Sequence, residues 1–164
     1  MSKGLSVLIL VSQYNQGDYI KSLLPPEINF VTGKMNKKLR SASLEEIRVG
    51  QKKCIIGTTL FDEGIDVPRL DAVLMAGGGA SATRVYQRIG RTLRLQQGKD
   101  KALTIYFQHD SRYLDKHARK AKKIMQAETQ FKIKKSIGGD FIFDDIDEIY
   151  GFKNKRKNLF AIMK

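Results

Sequence analysis

Cysteine, tryptophan, histidine and proline are all scarce in this chain of 164 residues. It has one cysteine (Cys54), two histidines, three prolines and no tryptophan. One thiol cannot form a disulfide within the chain, and one thiol with two imidazoles cannot supply the four ligands of a structural zinc site. No apolar run approaches the roughly 18 residues of a membrane-spanning helix, and the first residues lack a signal-peptide pattern. We expect a soluble, cytoplasmic protein without a disulfide, a bound metal or a membrane partner.

The charge is strongly one-sided. Lysine and arginine number 30 against 17 acidic residues, which gives a net charge of +13 and a pI near 9.9. Such an excess favours a polyanionic partner, most simply nucleic acid.

The charge distribution predicts three parts. Residues 1–108 form a domain, because 41% of the chain is hydrophobic and can build a packed core. Residues 109–137 form a basic helical extension. Residues 138–164 form a tail that is first acidic and then basic, and Gly138-Gly139 marks the hinge before it.

Five short apolar runs predict strands. They are unbroken rather than alternating, which is typical of parallel strands covered on both faces. Between them lie stretches of helical length and period. This order predicts an α/β fold, a parallel sheet with helices on both faces. The predicted strands are 6–11, 28–31, 54–56, 72–76 and 102–107, and the predicted helices are 19–24 with its lead-in, 36–49 and about 81–95.

A further, basic helix is predicted over residues 112–125. Leu114, Ala118, Ala121 and Met125 recur at helical spacing, so this face should pack onto the core. Two interpretations of the opposite, basic face stay open: contact with nucleic-acid phosphates, or simple solubility.

Several other residues are assigned to the core rather than to chemistry. Cys54 lies inside a strand run and behaves as a small apolar residue. Aromatic burial usually dominates over surface roles, so core positions are also predicted for Tyr14, Tyr86, Tyr106 and Phe107.

The loops after the strands are the candidate sites, because ligands of parallel sheets bind beyond the carboxyl ends of the strands. The glycine-rich loop 77–82 fits the G-x-G-x-x-A pattern of dinucleotide sites. That motif belongs after the first strand, with an acid ending the next one. Here it follows the fourth strand, and the nearest acid, Asp100, precedes a strand. A glycine turn is favoured, and a dinucleotide site is the alternative.

The loop 58–68 carries candidate ligand contacts. Backbone amides and the Thr58 hydroxyl can hold phosphate oxygens. Gly64 permits a tight turn that presents Asp66, whose carboxylate can accept hydrogen bonds from ribose hydroxyls. An ordinary loop in which Asp66 caps a neighbouring element is the alternative, and the loop taken alone favours it.

A third candidate is the segment 87–94, QRIGRTLR. At the helical period, Gln87, Arg91 and Arg94 fall within an arc of roughly 60°. Two guanidiniums one turn apart suit a phosphoryl group, because each keeps its charge and offers a planar fork of donors. A solvated basic face is the alternative; against it, no acid lies four residues away to pair with these arginines.

Taken together, these loops resemble the second RecA-like domain of superfamily 2 helicases and translocases. EGIDVP over residues 63–68 matches motif V of that family, and QRIGRTLR matches motif VI, in the same order with a strand between them. The resemblance covers about residues 5–108. It implies a RecA-like C-terminal motor domain of an ATP-dependent helicase, whose ATP and Mg²⁺ are held mainly by an N-terminal RecA-like domain of the same protein.

The same resemblance implies roles for single residues. Arg91 and Arg94 correspond to arginine fingers that stabilise charge during phosphoryl transfer. The remaining assignments are Gln87 as a further catalytic residue, Gly64 and Asp66 in the ATP pocket, Thr32, Gly33, Lys34 and Thr58 on the nucleic-acid backbone, and Arg40 as a phosphate contact on a helix.

The sequence also departs from a complete motor. No G-x-x-x-x-G-K-[ST] occurs, and no apolar strand leads into D-E-x-[HD]. We therefore expect this chain alone to lack ATPase activity.

The expected nucleic acid is DNA. Lys37, Glu63 and Leu93 depart from the usual residues of RNA-unwinding DEAD-box proteins and look more like repair-type, phage and restriction-type enzymes. The alternatives are a stand-alone nucleic-acid-binding module without ATPase activity, and half of an RNA helicase.

Overall fold

The computed structural model of the chain describes residues 4–58, 70–77, 103–107 and 112–127. These residues form five strands and three helices, and a helix follows each of the first two strands and the last one. In chain order they are β1 (Val7–Leu10), α1 (Tyr14–Ser22), β2 (Asn29–Val31), α2 (Lys37–Arg48), β3 (Cys54–Gly57), β4 (Ala72–Met75), β5 (Leu103–Tyr106) and α3 (Arg112–Ala127).

All five strands belong to one parallel sheet, in the order β2-β3-β1-β4-β5. The central strand β1 pairs on both sides, so that Val7 lies opposite Cys54 in β3 and opposite Ala72 in β4. The apolar runs predicted the five strands because side chains on both faces of the sheet are covered. The predicted parallel α/β fold is confirmed.

The core consists of one apolar layer on each face of the sheet. Alternate residues of a strand point to opposite faces, so Leu8 and Leu10 belong to one layer while Ile9 belongs to the other. Ile47 of α2 and Ile124 of α3 pack into the layer of Leu8, and Ile20 of α1 packs into the layer of Ile9. The helices therefore cover both faces: α2 and α3 one face, and α1 the other.

Helix α2 matches its prediction closely. Its N-cap is Asn36, whose Oδ1 accepts a hydrogen bond from the Lys38 backbone amide at 2.9 Å. This bond satisfies one of the amides that the first turn of a helix leaves without a partner.

Helix α1 begins at Tyr14, five residues before the apolar stretch that predicted it. Its first turns are polar, and the residue buried there is Gly17. Glycine contributes no side chain to a hydrophobic period, so the pattern gave no signal for these turns. The helix ends at Ser22, short of the predicted Leu24.

Helix α3 packs onto the sheet through small residues. Ala118 and Ala121 are buried, and Met125 is partly buried against the layer of Leu8. Four lysines outside this buried face are exposed, as the pattern predicts: Lys116, Lys120, Lys122 and Lys123.

The chain divides into two compact units, Met1–Phe131 and Lys132–Lys164, and every described residue belongs to the first. The predicted helix at 81–95, the tail and both predicted domain boundaries lie outside the described residues. Within the described ranges, no helix is long and apolar enough to span a membrane.

Candidate nucleic-acid interface

The carboxyl edge of the sheet collects the ends of the strands. Because the strands are parallel, the residues that follow each of them emerge at this edge. Ser12 follows β1, Thr32 follows β2, and Thr58 follows β3. Thr32 and Thr58 lie side by side, because β2 and β3 pair with Val31 opposite Gly57. The Thr58 amide also donates a hydrogen bond to the Val31 carbonyl at 3.4 Å.

The loop after β2 leads directly into the N-terminus of α2. It contains Thr32, Gly33 and Lys34, and the turn is closed by a hydrogen bond from the Met35 amide to the Thr32 carbonyl at 3.1 Å. Asn36 then caps the helix. Backbone amides and the positive end of the helix dipole therefore lie next to this loop, an arrangement that favours anions.

Four cations surround this helix N-terminus. Lys34, Lys37 and Lys38 are exposed, Arg40 is partly exposed, and the first turn of α2 carries no acid. Within the described residues none of the four has an acidic partner. Three cations elsewhere in the described part of the chain do have acidic partners: Arg48 pairs with Glu45 at 2.6 Å, Lys52 with Glu46 at 3.1 Å and Arg119 with Asp115 at 2.7 Å. The carboxyl edge thus carries positive charge that no described acid neutralises, the condition for binding phosphates.

Thr58 lies at the same edge but is only 6% exposed. Of the five residues predicted to contact nucleic acid, it is the least accessible, whereas Gly33 and Lys34 are exposed. The structure thus brings Thr32, Gly33, Lys34, Arg40 and Thr58 to one edge of the sheet, and it offers the loop after β2 rather than Thr58 as the accessible surface.

Tyr14 is a member of this edge that the sequence did not indicate. It was predicted to be a core residue, but it is 41% exposed, and Phe107 is likewise 43% exposed. These two predictions were wrong, because both aromatic rings follow a strand at the carboxyl edge, where the layers over the sheet end. The Lys34 Nζ lies 4.8 Å from the centroid of the Tyr14 ring.

The end of β4 is fixed against the loop after β1. The Gln16 side chain donates to the Ala76 carbonyl at 2.7 Å and accepts from the Ser12 amide at 3.3 Å. Gly77 packs so closely on Ser12 that an added Cβ would collide with the Ser12 backbone nitrogen. Gly77 is therefore a site of close packing, from which the chain continues towards the arginine-bearing segment.

The predicted ATP-facing residues lie outside the described residues. They are Gly64, Asp66, Gln87, Arg91 and Arg94. No group of three or more metal-ligating side chains occurs in the described part of the chain.

The Cys54 thiol is not a candidate nucleophile. It is buried in β3, and burial raises its pKa to about 11. At neutral pH it is a protonated, apolar core group.

Comparison with known proteins gives a family match over much of the chain. A model of the helicase conserved C-terminal domain matches residues 1–96. The matched residues include the whole carboxyl edge from β1 to β4 and both segments that carry the resemblance described above.

Two relatives illustrate the similarity. The chain is 39% identical over 67 residues to the DNA 3'-5' translocase XPB2 of Sulfurisphaera tokodaii, which covers 41% of this chain and 15% of that protein. It is 31% identical over 83 residues to the DEAD-box ATP-dependent RNA helicase FANCM of Arabidopsis thaliana, which covers 51% of this chain and 6% of that protein. The chain thus spans a small part of the length of these relatives.

The fold also matches solved structures. S. cerevisiae Dbp5 bound to RNA and ADP BeF3 superposes with a TM-score of 0.68 at 22% identity, covering 90% of this chain and 38% of that one. At this identity the match establishes a shared fold, the RecA-like arrangement of a parallel sheet between helices.

Proposed function

The chain belongs to the helicase conserved C-terminal domain family, as a C-terminal RecA-like domain of superfamily 2, and from this premise we propose that it is half of an ATP-dependent motor that moves along DNA. The accessible part of its carboxyl edge grips the nucleic-acid backbone. Its arginine-bearing segment completes an ATP site that an N-terminal RecA-like domain of the same protein mainly provides.

The observation that carries the proposal is the cation cluster at the start of α2. Lys34 precedes the capped N-terminus of α2 and Arg40 lies in its first turns, and neither has an acidic partner among the described residues. Phosphate oxygens accept hydrogen bonds from lysine, arginine and backbone amides without reading a base. Binding at this edge is therefore strong in low salt and nearly independent of sequence.

The ATP-facing role rests on the chemistry of the donor set. Two guanidiniums, from Arg91 and Arg94, suit a phosphoryl group, and the Asp66 carboxylate suits ribose hydroxyls. ATP with Mg²⁺, bound between the two domains, would favour their closure, and its γ-phosphoryl group would then be transferred to water. The arginines neutralise charge that develops on that group. Gly77 and Gln16 hold the point from which their segment departs.

Closure couples the two ligands. The loop after β2 and the chain leaving β4 emerge from the same edge of one sheet, so a rotation of the domain that brings the arginines to a nucleotide also moves the backbone grip. Domain closure of this kind is a common way to convert ligand binding into motion.

DNA is the favoured nucleic acid. Glu63, Lys37 and Leu93 differ from the usual DEAD-box residues, and the name of the S. tokodaii relative describes a DNA translocase. The name of the A. thaliana relative describes an RNA helicase, so RNA is the second candidate. Competition of unlabelled single-stranded DNA, duplex DNA and RNA against one labelled DNA strand separates them.

The binding test is fluorescence anisotropy of a labelled DNA strand titrated with the 164-residue chain. The Lys34→Ala/Arg40→Ala variant should bind roughly tenfold more weakly. The slope of log affinity against log salt should become shallower by about 0.7 for each phosphate of a single strand that is no longer neutralised. A matched control removes two exposed lysines at the amino edge, as Lys21→Ala/Lys53→Ala.

The outcome depends on the contrast between these two variants. Equal weakening by both pairs would show that only net charge matters and would contradict a localised grip. An unchanged affinity for Lys34→Ala/Arg40→Ala would remove the carboxyl edge from the interface altogether.

A further inference from the structure

An exposed aromatic ring lies beside the proposed backbone grip. Tyr14 opens α1 directly after the loop that follows β1, and 41% of the residue is exposed. Large aromatic side chains usually bury most of their surface. The exposure of the Tyr14 ring therefore needs a physical explanation.

Two residues in neighbouring elements support the Tyr14 ring. Phe30 of β2 packs beside Tyr14, with ring centroids 6.5 Å apart and ring planes inclined at 56°. Phe30 in turn lies against Gly17, where an added Cβ would collide with the edge of its ring. A glycine inside a helix lowers helix stability relative to alanine. Here it provides the space that lets Phe30 support Tyr14.

The other neighbour of the ring is a cation. The Lys34 Nζ lies 4.8 Å from the Tyr14 centroid, within the range of a cation–π interaction. An acidic partner would also hold this ammonium but would neutralise it, and among the described residues Lys34 has none. The ring attracts the ammonium and leaves its full charge available to a phosphate.

We propose that Tyr14 is a positioning residue that holds the Lys34 ammonium at the carboxyl edge, ready for a phosphate of the bound strand. This inference rests on the proposed function. A lysine side chain has several rotatable bonds, and ordering them opposes binding. Holding Lys34 before the strand arrives removes part of that cost. Cation–π interactions at exposed sites are of a size that corresponds to about a two- to five-fold effect on affinity.

The test is a double-mutant cycle with a labelled single-stranded DNA. Tyr14→Leu should weaken binding about two- to five-fold. It should have no further effect in a Lys34→Ala background, because Tyr14 acts through Lys34. Tyr14→Phe keeps the aromatic face and should bind like the unmodified chain.

A second readout is independent of nucleic acid. Protons that lie over an aromatic face resonate upfield, so the ε-methylene signals of Lys34 should be shifted in the free chain. The shift should persist in Tyr14→Phe and disappear in Tyr14→Leu. The same spectra show whether each variant is folded.

Each contrary result has its own meaning. If Lys34→Ala binds normally, the proposed function fails at this loop, while the methylene shift still tests whether the ring holds the lysine. If Lys34→Ala weakens binding but Tyr14→Leu does not, the positioning role is wrong. If Tyr14→Leu weakens binding equally in both backgrounds, the ring contacts the strand itself, and positioning is again overturned.

Discussion

Among the glycines whose surroundings the structure describes, Gly17 and Gly77 are the two at which an added Cβ would collide with a neighbouring group. In both cases the glycine is buried because another group occupies the space of its missing side chain. At Gly17 that group is the ring of Phe30, and at Gly77 it is the backbone of Ser12. Since a backbone yields less readily than the end of a side chain, the two sites should tolerate substitution differently.

The Gly77→Ala substitution should destabilise the chain by about 1–3 kcal/mol, the usual cost of overpacking. Urea denaturation followed by circular dichroism measures the change. Gly17→Ala combined with Phe30→Leu should recover part of the stability that Gly17→Ala alone removes, since the smaller side chain vacates the contact. An unchanged urea midpoint for Gly77→Ala would contradict the close packing on Ser12.

Cys54 should react with thiol reagents only when the chain unfolds. Burial raises its pKa to about 11, so at pH 8 the folded chain holds almost no thiolate. A colorimetric thiol assay should find no fast reaction in native buffer and one thiol per chain in urea. Rapid labelling of the native chain would show that β3 is not covered as described.

The raised pKa of Cys54 also fixes the sign of a pH effect. Folding favours the neutral thiol, so its contribution is complete below the pKa of the unfolded chain, near 8.5. The contribution is lost as pH rises towards about 11. Cys54→Ala should therefore flatten part of the alkaline decline in stability.

At the scale of elements, two substitutions of Asn36, the cap of α2, distinguish an effect on stability from an effect on DNA binding. Asn36→Ala removes the bond to the Lys38 amide and should cost about 1 kcal/mol. Asn36→Asp keeps the cap, so the chain should melt normally. Its negative charge beside the cation cluster should nevertheless weaken DNA binding. Normal binding by Asn36→Asp would argue that phosphates do not approach this helix end.

The elements differ in how well the sequence predicted them. Each strand is a short apolar run because both faces of the sheet are covered. Such a run can be recognised in the sequence without knowing which strand pairs with which. Helix α2 was also predicted, since Leu44 and Ile47 keep the helical period. The structure adds that Asn36, which the prediction placed inside the helix, is its N-cap. The start of α1 was not predicted, because its buried contact is a glycine beneath Phe30.

The candidate site, like the elements, was predicted only in part from the sequence. Glycine, lysine and threonine after β2, and Arg40 on the next helix, were predicted from a resemblance, and the parallel topology brings them to one edge. The exposure of Tyr14 depends on Phe30 and Gly17, which reach it from another strand and from the next turn of its helix. Packing between elements distant in sequence leaves no trace in local periodicity.

Helix α3 keeps two interpretations of its basic face. Arg119 pairs with Asp115 at 2.7 Å, an exposed pair of small energetic value. The four lysines exposed beside this pair could contact phosphates or serve solubility.

At the scale of the whole molecule, this chain alone should not hydrolyse ATP. The pattern G-x-x-x-x-G-K-[ST] does not occur in its 164 residues, so we expect Arg91 and Arg94 to have no cradled triphosphate to act on. A phosphate-release assay with and without DNA should give background rates, and DNA-stimulated turnover by the pure chain would contradict this.

In a longer protein that carries a P-loop domain, the arginines should matter. Arg91→Ala and Arg94→Ala should each reduce hydrolysis by roughly 10³-fold or more and leave DNA binding largely intact. Equal loss of binding and hydrolysis would place these arginines on the strand rather than on the nucleotide.

The most direct test of the carboxyl-edge interface is an amide-resolved NMR titration of the ¹⁵N-labelled chain with single-stranded DNA. We predict that the largest chemical-shift changes fall on Thr32, Gly33, Lys34 and the first turn of α2, while Lys21 and Lys53 at the amino edge stay unchanged. Changes confined to α3, or spread evenly over both edges of the sheet, would contradict a backbone grip at the loop after β2.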